Sequence, residues 1–122
     1  MTFLLVIDDD IMIRAGLEML LELEGYKVCG ASNGQDALEL LQKADTAPCL
    51  ILLDVMMPVM DGIEFRRRQL QESHLAQVPV IVVTGRADVA EIAKLQPVAV
   101  VSKPFQTEAL LKMVEAHCER KS

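Results

Sequence analysis

A chain of 122 residues has room for one domain with a real core, and with 52% apolar residues it is not a disordered segment. Its 18 acidic residues against 12 basic ones leave a formal charge of −6, which excludes the basic footprint that direct nucleic-acid binding requires. No apolar run reaches transmembrane length and no signal peptide is visible, so a cytoplasmic protein without membrane contact is expected.

Phe3-Leu4-Leu5-Val6-Ile7 is a continuous apolar run that ends in Asp8-Asp9-Asp10. A short run without alternation suits a strand buried on both faces. A helical pattern follows, with Ile13, Leu17, Leu20 and Leu21 inward, Met12, Met19 and Leu23 flanking them, and Gly25 as the stop. Tyr26 to Ala31 reads as a short strand. Asn33 is placed to cap a helix over 34–43 with Ala37, Leu38 and Leu41 inward. Leu50-Ile51-Leu52-Leu53 is the next apolar run, and it ends in Asp54. Pro58 and Asp61-Gly62 mark a loop before a helix over 62–72, with Ile63, Phe65 and Leu70 on its apolar side. Arg66-Arg67-Arg68 reads as a solvated face of that helix. Val80-Ile81-Val82-Val83 is the fourth strand and ends in Thr84-Gly85. A short, weak helix over 88–95 is stopped by Pro97. Val98 to Val101 forms the fifth strand, ending in Ser102-Lys103-Pro104. Thr107 is placed to cap a last helix carrying Leu110, Leu111, Val114 and Cys118 inward. Cys29, Cys49 and Cys118 fit neither a zinc spacing nor a disulfide framework, so reduced thiols are expected.

Strands alternating with helices imply an α/β fold, a doubly wound parallel sheet with helices on both faces. In such a sheet all strand C-termini share one edge, where ligands bind. Asp8-Asp9, Asp54, Thr84 and Lys103 each follow an apolar run and would meet there. Each has a plainer explanation alone: Asp54 as a turn residue, the acidic triplet as a helix start, Thr84 as a cap and Lys103 as a solvated lysine. Four coinciding strand ends favour a site. Like charges about 4 Å apart repel by roughly 1 kcal/mol in water and about 4 kcal/mol when partly buried. A hard divalent cation such as Mg²⁺ relieves that repulsion through oxygen ligands. An aspartate beside Mg²⁺, with a lysine and a hydroxyl nearby, is equipped to attack a phosphoryl group.

These residues resemble the receiver domain of two-component response regulators, over almost the whole chain. Leu5-Val6-Ile7-Asp8-Asp9-Asp10 is similar to its acidic-pair motif. Leu53-Asp54-Val55-Met56-Met57-Pro58 with Asp61-Gly62 is similar to its phosphoacceptor motif. Val83-Thr84-Gly85 and Ser102-Lys103-Pro104-Phe105 are similar to its Thr/Ser switch and Lys-Pro-Phe motifs. The resemblance, to the single-domain chemotaxis type in particular, implies a flavodoxin-like five-stranded sheet of order 2-1-3-4-5. It implies one receiver domain over 1–122 without an output domain, acting as a bacterial phosphorelay switch rather than an enzyme. Asp54 would accept a phosphoryl group from a sensor histidine kinase or a histidine phosphotransfer protein. Asp8, Asp9, Asp54 and the backbone carbonyl of Met56 would hold Mg²⁺, and Thr84 and Lys103 would bind the phosphoryl oxygens. A downstream protein target would read the result. The resemblance also implies a cis peptide between Lys103 and Pro104.

Two departures from the family stand out. The usual aromatic three residues before the lysine is Val100, and the segment from Thr84 to Lys103 is short. A short or irregular fourth helix follows, with the output change expected in the 85–88 loop, Arg86 over the phosphoryl group, and that helix. The rival readings are an aspartyl-phosphate-forming phosphohydrolase and a receiver-like scaffold that is not phosphorylated. A haloacid-dehalogenase type of phosphohydrolase would need an acid two residues after Asp54, where Met56 stands. A flavin carrier would need a phosphate loop where Asp8-Asp9-Asp10 repels phosphate. The intact acidic set disfavours the scaffold.

Overall fold

Uninterrupted apolar runs become the middle of a parallel sheet because such strands have helices on both sides and no wet face. The computed structural model describes residues 2–54, 62–85, 89–103 and 106–118. Strands β1 (Leu4–Ile7), β3 (Leu50–Leu53) and β4 (Val80–Thr84) are buried at every position. They are flanked by β2 (Val28–Ala31) and β5 (Ala99–Ser102), whose exposure marks them as edges. The order is β2-β1-β3-β4-β5, all parallel.

Side chains alternate across the strands and feed two cores. Leu5, Ile7, Ile51, Leu53 and Val82 point to one face, under α2 (Gly34–Lys43) and α3 (Gly62–Gln71), with Leu38, Leu41 and Phe65. Leu4, Val6, Leu52, Ile81 and Val83 point to the other, under α1 (Ile11–Leu23) and α5 (Thr107–Glu115), with Leu17, Leu21, Leu110 and Val114. Each fully buried Leu, Ile or Val is worth about 1.5–3 kcal/mol of transfer free energy. The fourth helix, α4 (Val89–Lys94), has six residues, as the short segment before β5 implied.

Local signals place most helix ends. Asn33 Oδ1 accepts from Asp36 N at 2.8 Å and caps α2. Gly25 adopts φ 96°, and Tyr26 N then donates to Leu21 O at 3.0 Å, closing α1 with a left-handed turn that glycine makes at least cost. Gln106, not Thr107, is the N-cap of α5, and it offers no side-chain bond.

Helix α3 departs from its expected polarity. Arg66 and Gln69 are buried, while Leu70 is 43% exposed. Arg66 Nε donates to Leu95 O at 2.9 Å, Nη1 to Gln69 Oε1 at 2.8 Å, and Nη2 to Gln96 O at 3.4 Å. Gln69 Nε2 donates to Leu75 O at 2.9 Å and Val78 O at 3.1 Å. Burial lowers the Arg66 pKa from its usual value, and carbonyls rather than a carboxylate receive its protons. The guanidinium sits at the C-terminal end of α4, where helix carbonyls concentrate negative potential, and steadies Gln96 at φ 49°. Arg67 and Arg68 remain exposed, as a solvated face requires.

Helix α1 departs in the opposite sense: Ile11, Met12, Met19 and Leu23 lie 65%, 80%, 65% and 81% exposed. The thiols differ from expectation too. Cys49 and Cys118 form a disulfide, with Cα atoms 5.5 Å apart, and Cys29 is free. The two cysteines are 69 positions apart, so no local spacing signals the bond; β3 and the end of α5 bring them together.

Candidate functional site: an acidic cluster at the carboxyl edge of the sheet

The carboxyl ends of β1 and β3 are neighbours in register, Ile7 against Leu53, so the residues that follow them lie side by side. Asp8 N donates to Ala31 O at 3.1 Å and Asp54 N to Ile7 O at 2.9 Å, which extends the ladder one step and fixes both backbones. Asp8 and Asp54 are buried, 2% and 7% exposed, while Asp9 is exposed. One carboxylate oxygen from each of Asp8, Asp9 and Asp54 lies within 4.8 Å of the others.

The acidic triplet divides its work. Asp10 leaves the cluster and caps α1, accepting from Met12 N at 3.0 Å and Ile13 N at 3.3 Å. Asp8 Oδ1 accepts from Asp10 N at 2.9 Å, which ties the cap to the site. Arg14, which has no assigned role in the sequence reading, reaches back from α1 and donates from Nη1 to Asp8 O at 2.8 Å. Its stem passes close to Gly30, where a Cβ would collide with the Glu18 carboxylate and press on Arg14. The available signal was Arg14 four residues after the cap, which turns it back toward the start of its own helix.

Lys103 arrives from β5. Thr84 pairs with Ser102, and Lys103 N donates to Thr84 O at 2.8 Å, which places the lysine beside the end of β4. Lys103 Nζ donates to Asp8 Oδ2 at 2.8 Å and lies 3.6 Å from Asp54 Oδ2. Burial pulls the Lys103 pKa down, but the hydrogen bond it donates to Asp8 and the charges of Asp54 and Asp8 outweigh it, so the net shift is upward. Thr84 is 4% exposed at the end of β4. The structure thus gathers Asp8, Asp9 and Asp54 into one cluster, with Lys103 on it and Thr84 beside Lys103. Met56, Arg86 and Pro104, with the cis bond expected before it, fall outside the described residues.

Residues 4–115 match the family model described as the response regulator receiver domain. This chain belongs to that family. The receiver is 40% identical over 123 residues to the transcriptional regulatory protein CpxR homolog of Haemophilus influenzae, covering 98% of this chain and 52% of that protein. It spans about half the length of the curated relatives it matches. The chemotaxis protein CheY4 of Vibrio cholerae superposes with a TM-score of 0.87 at 31% identity, covering 97% of this chain and 99% of that one. The response regulator TrrA of Thermotoga maritima, solved in complex with Mg²⁺-BeF, superposes with a TM-score of 0.83 at 26% identity, covering 97% and 100%. The receiver is a phosphoacceptor signalling switch of the two-component type, and no helix among its described residues is long and apolar enough to cross a membrane.

Three carboxylates and one ammonium leave the described cluster with excess negative charge. A hard, oxygen-seeking divalent ion fits such a donor set better than a soft one, which would seek nitrogen or sulfur. An octahedral Mg²⁺ with bonds of about 2.1 Å sets opposite ligands about 4.2 Å apart, so the cluster is of the right scale to hold it directly or through water.

Proposed function

We propose that Asp54 is the phosphoacceptor of this receiver and that Asp8, Asp9, Asp54 and the Met56 backbone carbonyl hold Mg²⁺. The observation that supports this most is the three-carboxylate cluster with the Lys103 ammonium bonded into it. Bound Mg²⁺ would supply positive charge to the oxygens of the entering phosphoryl group. An Asp54 carboxylate oxygen attacks the phosphorus of a phosphohistidine. The new O–P bond forms as the P–N bond breaks, and the imidazole leaves with the electron pair. Lys103, already 3.6 Å from Asp54, turns from Asp8 toward the phosphoryl oxygens and balances their charge. Thr84 donates its hydroxyl to another of those oxygens and carries the change into the 85–88 loop and α4. The phosphoryl donor is a sensor histidine kinase or a histidine phosphotransfer protein in the cytoplasm, and a protein partner receives the signal.

Acetyl phosphate or phosphoramidate with Mg²⁺ should add one acid-stable, base-labile phosphoryl group, read by intact mass. Asp54→Asn should not label, and EDTA should stop labelling of the wild type. Full labelling of Asp54→Asn, or labelling undiminished in EDTA, overturns the assignment.

A further inference from the structure

Cys49 and Cys118 occupy the far ends of two segments whose near ends meet at the acidic cluster. From Cys49, β3 leads to Asp54; from Lys103, the chain leads through α5 to Cys118. Lys103 joins the near ends by its contacts with Asp8 and Asp54, and the disulfide joins the far ends. Each cysteine is positioned by its own backbone. Cys49 N donates to Phe3 O at 2.9 Å, and Cys118 N donates to Val114 O at 2.9 Å. Among the described residues, α5 otherwise rests on buried Leu110 and Val114 with partly buried Leu111 and Met113, and its start has no side-chain cap. Beyond that packing, the covalent bond ties the end of α5 to the start of β3.

We propose that Cys49–Cys118 is a reversible redox-modification site, opened by a dithiol-class reductant and closed by a disulfide-class oxidant, whose state sets how firmly α5 is held to the sheet. Cys118 is buried, and Cys49 is the partly exposed partner, so the incoming thiolate attacks the Cys49 sulfur. The S–S bond breaks and Cys118 leaves as a thiolate that takes a proton from solvent. The second thiol of the reductant then attacks the mixed disulfide, closes its own S–S bond and releases Cys49 as a thiol. Two electrons and two protons have passed to the pair, and the reductant has become a disulfide. Closure by a disulfide-class oxidant runs the same steps backwards. Where thiols are kept reduced, a disulfide of this kind senses redox state rather than serving as a permanent staple. Cys29 packs against the opposite core and provides an internal unpaired control.

The test is thiol counting coupled to hydrogen exchange on the whole chain, and neither readout involves metal or phosphorylation. After equilibration with oxidised glutathione, maleimide under denaturing conditions should label one cysteine, Cys29; after dithiothreitol it should label three. Amide exchange over residues 110–118 should quicken by about tenfold on reduction, while residues 4–7 stay unchanged. Cys49→Ser and Cys118→Ser should each show the fast exchange in both conditions. If a serine variant does not fold, Cys49→Ala serves in its place. Three labels without reductant, or equal exchange in the oxidised and reduced protein, overturn the proposal.

Discussion

Two groups of ion pairs in this molecule use the same chemistry in different surroundings. On α3, Glu64 accepts from Arg67 and Arg68, and all three side chains are well exposed. Their hydrogen bonds hold the Glu64 carboxyl down to about 2. Water and salt surround every partner, so this low value reports local attraction and not a stabilised fold. At the sheet edge, Lys103 meets Asp8 and Asp54 with side chains 18%, 3% and 9% exposed. There the excess charge is negative, and partial burial prevents water from erasing it. The α3 group carries an excess positive charge that water screens; the edge group keeps its negative excess and is receptive to a cation.

The largest expected effect sharpens that contrast. Mg²⁺ at about a hundred times its Kd should raise the unfolding free energy by about 2.7 kcal/mol, measured by urea titration with and without the ion. Asp9→Asn should reduce most of that gain. Removing the one ammonium in the cluster should come next. Lys103→Ala should cost about 2 kcal/mol, since it strands two buried carboxylates in a site still partly reached by solvent. The upward shift at Lys103 sets the sign of its pH dependence. Its contribution is whole below the ordinary lysine value of 10.5 and disappears as pH rises through the raised value, so wild-type and Lys103→Ala stabilities should converge at strongly alkaline pH. A smaller gain is expected from Asp9→Asn without metal, about 1 kcal/mol or less, because one repelling charge has gone. The smallest effect belongs to the exposed group: Glu64→Gln should leave the melting temperature unchanged within error at low and high salt.

The acidic site was largely legible because its signal is one-dimensional. Each buried strand is a short apolar run, and the residue ending the run is delivered to the common edge. Asp8, Asp54, Thr84 and Lys103 could all be placed that way, and the short α4 followed from the spacing before β5. Arg66 and Gln69 were not legible. Their acceptors are backbone carbonyls in the 75–78 turn and at the end of α4, and a carbonyl leaves no mark in a sequence. A triplet of arginines therefore reads as a wet surface although its first member lies inside. The disulfide was hidden for the same reason, since only the packing of α5 on the sheet makes Cys49 and Cys118 neighbours. Met12, Met19 and Leu23 read as a stripe flanking the inward face, and their exposure was not legible because periodicity reports an apolar face and not what covers it.

The buried Arg66 also imposes an order on assembly. A guanidinium that leaves water before its acceptors are in place is costly, and those acceptors lie far along the chain: Val78 by 12 residues, Leu95 by 29 and Gln96 by 30. If the three carbonyls converge on it together, the later half of the chain closes in one step. Contacts made only at that late stage are missing from the transition state, and they act on the rate of escape from the native state rather than on the rate of arrival. Arg66→Lys should then unfold faster while refolding proceeds at nearly its former pace, as read from the two arms of a denaturant chevron.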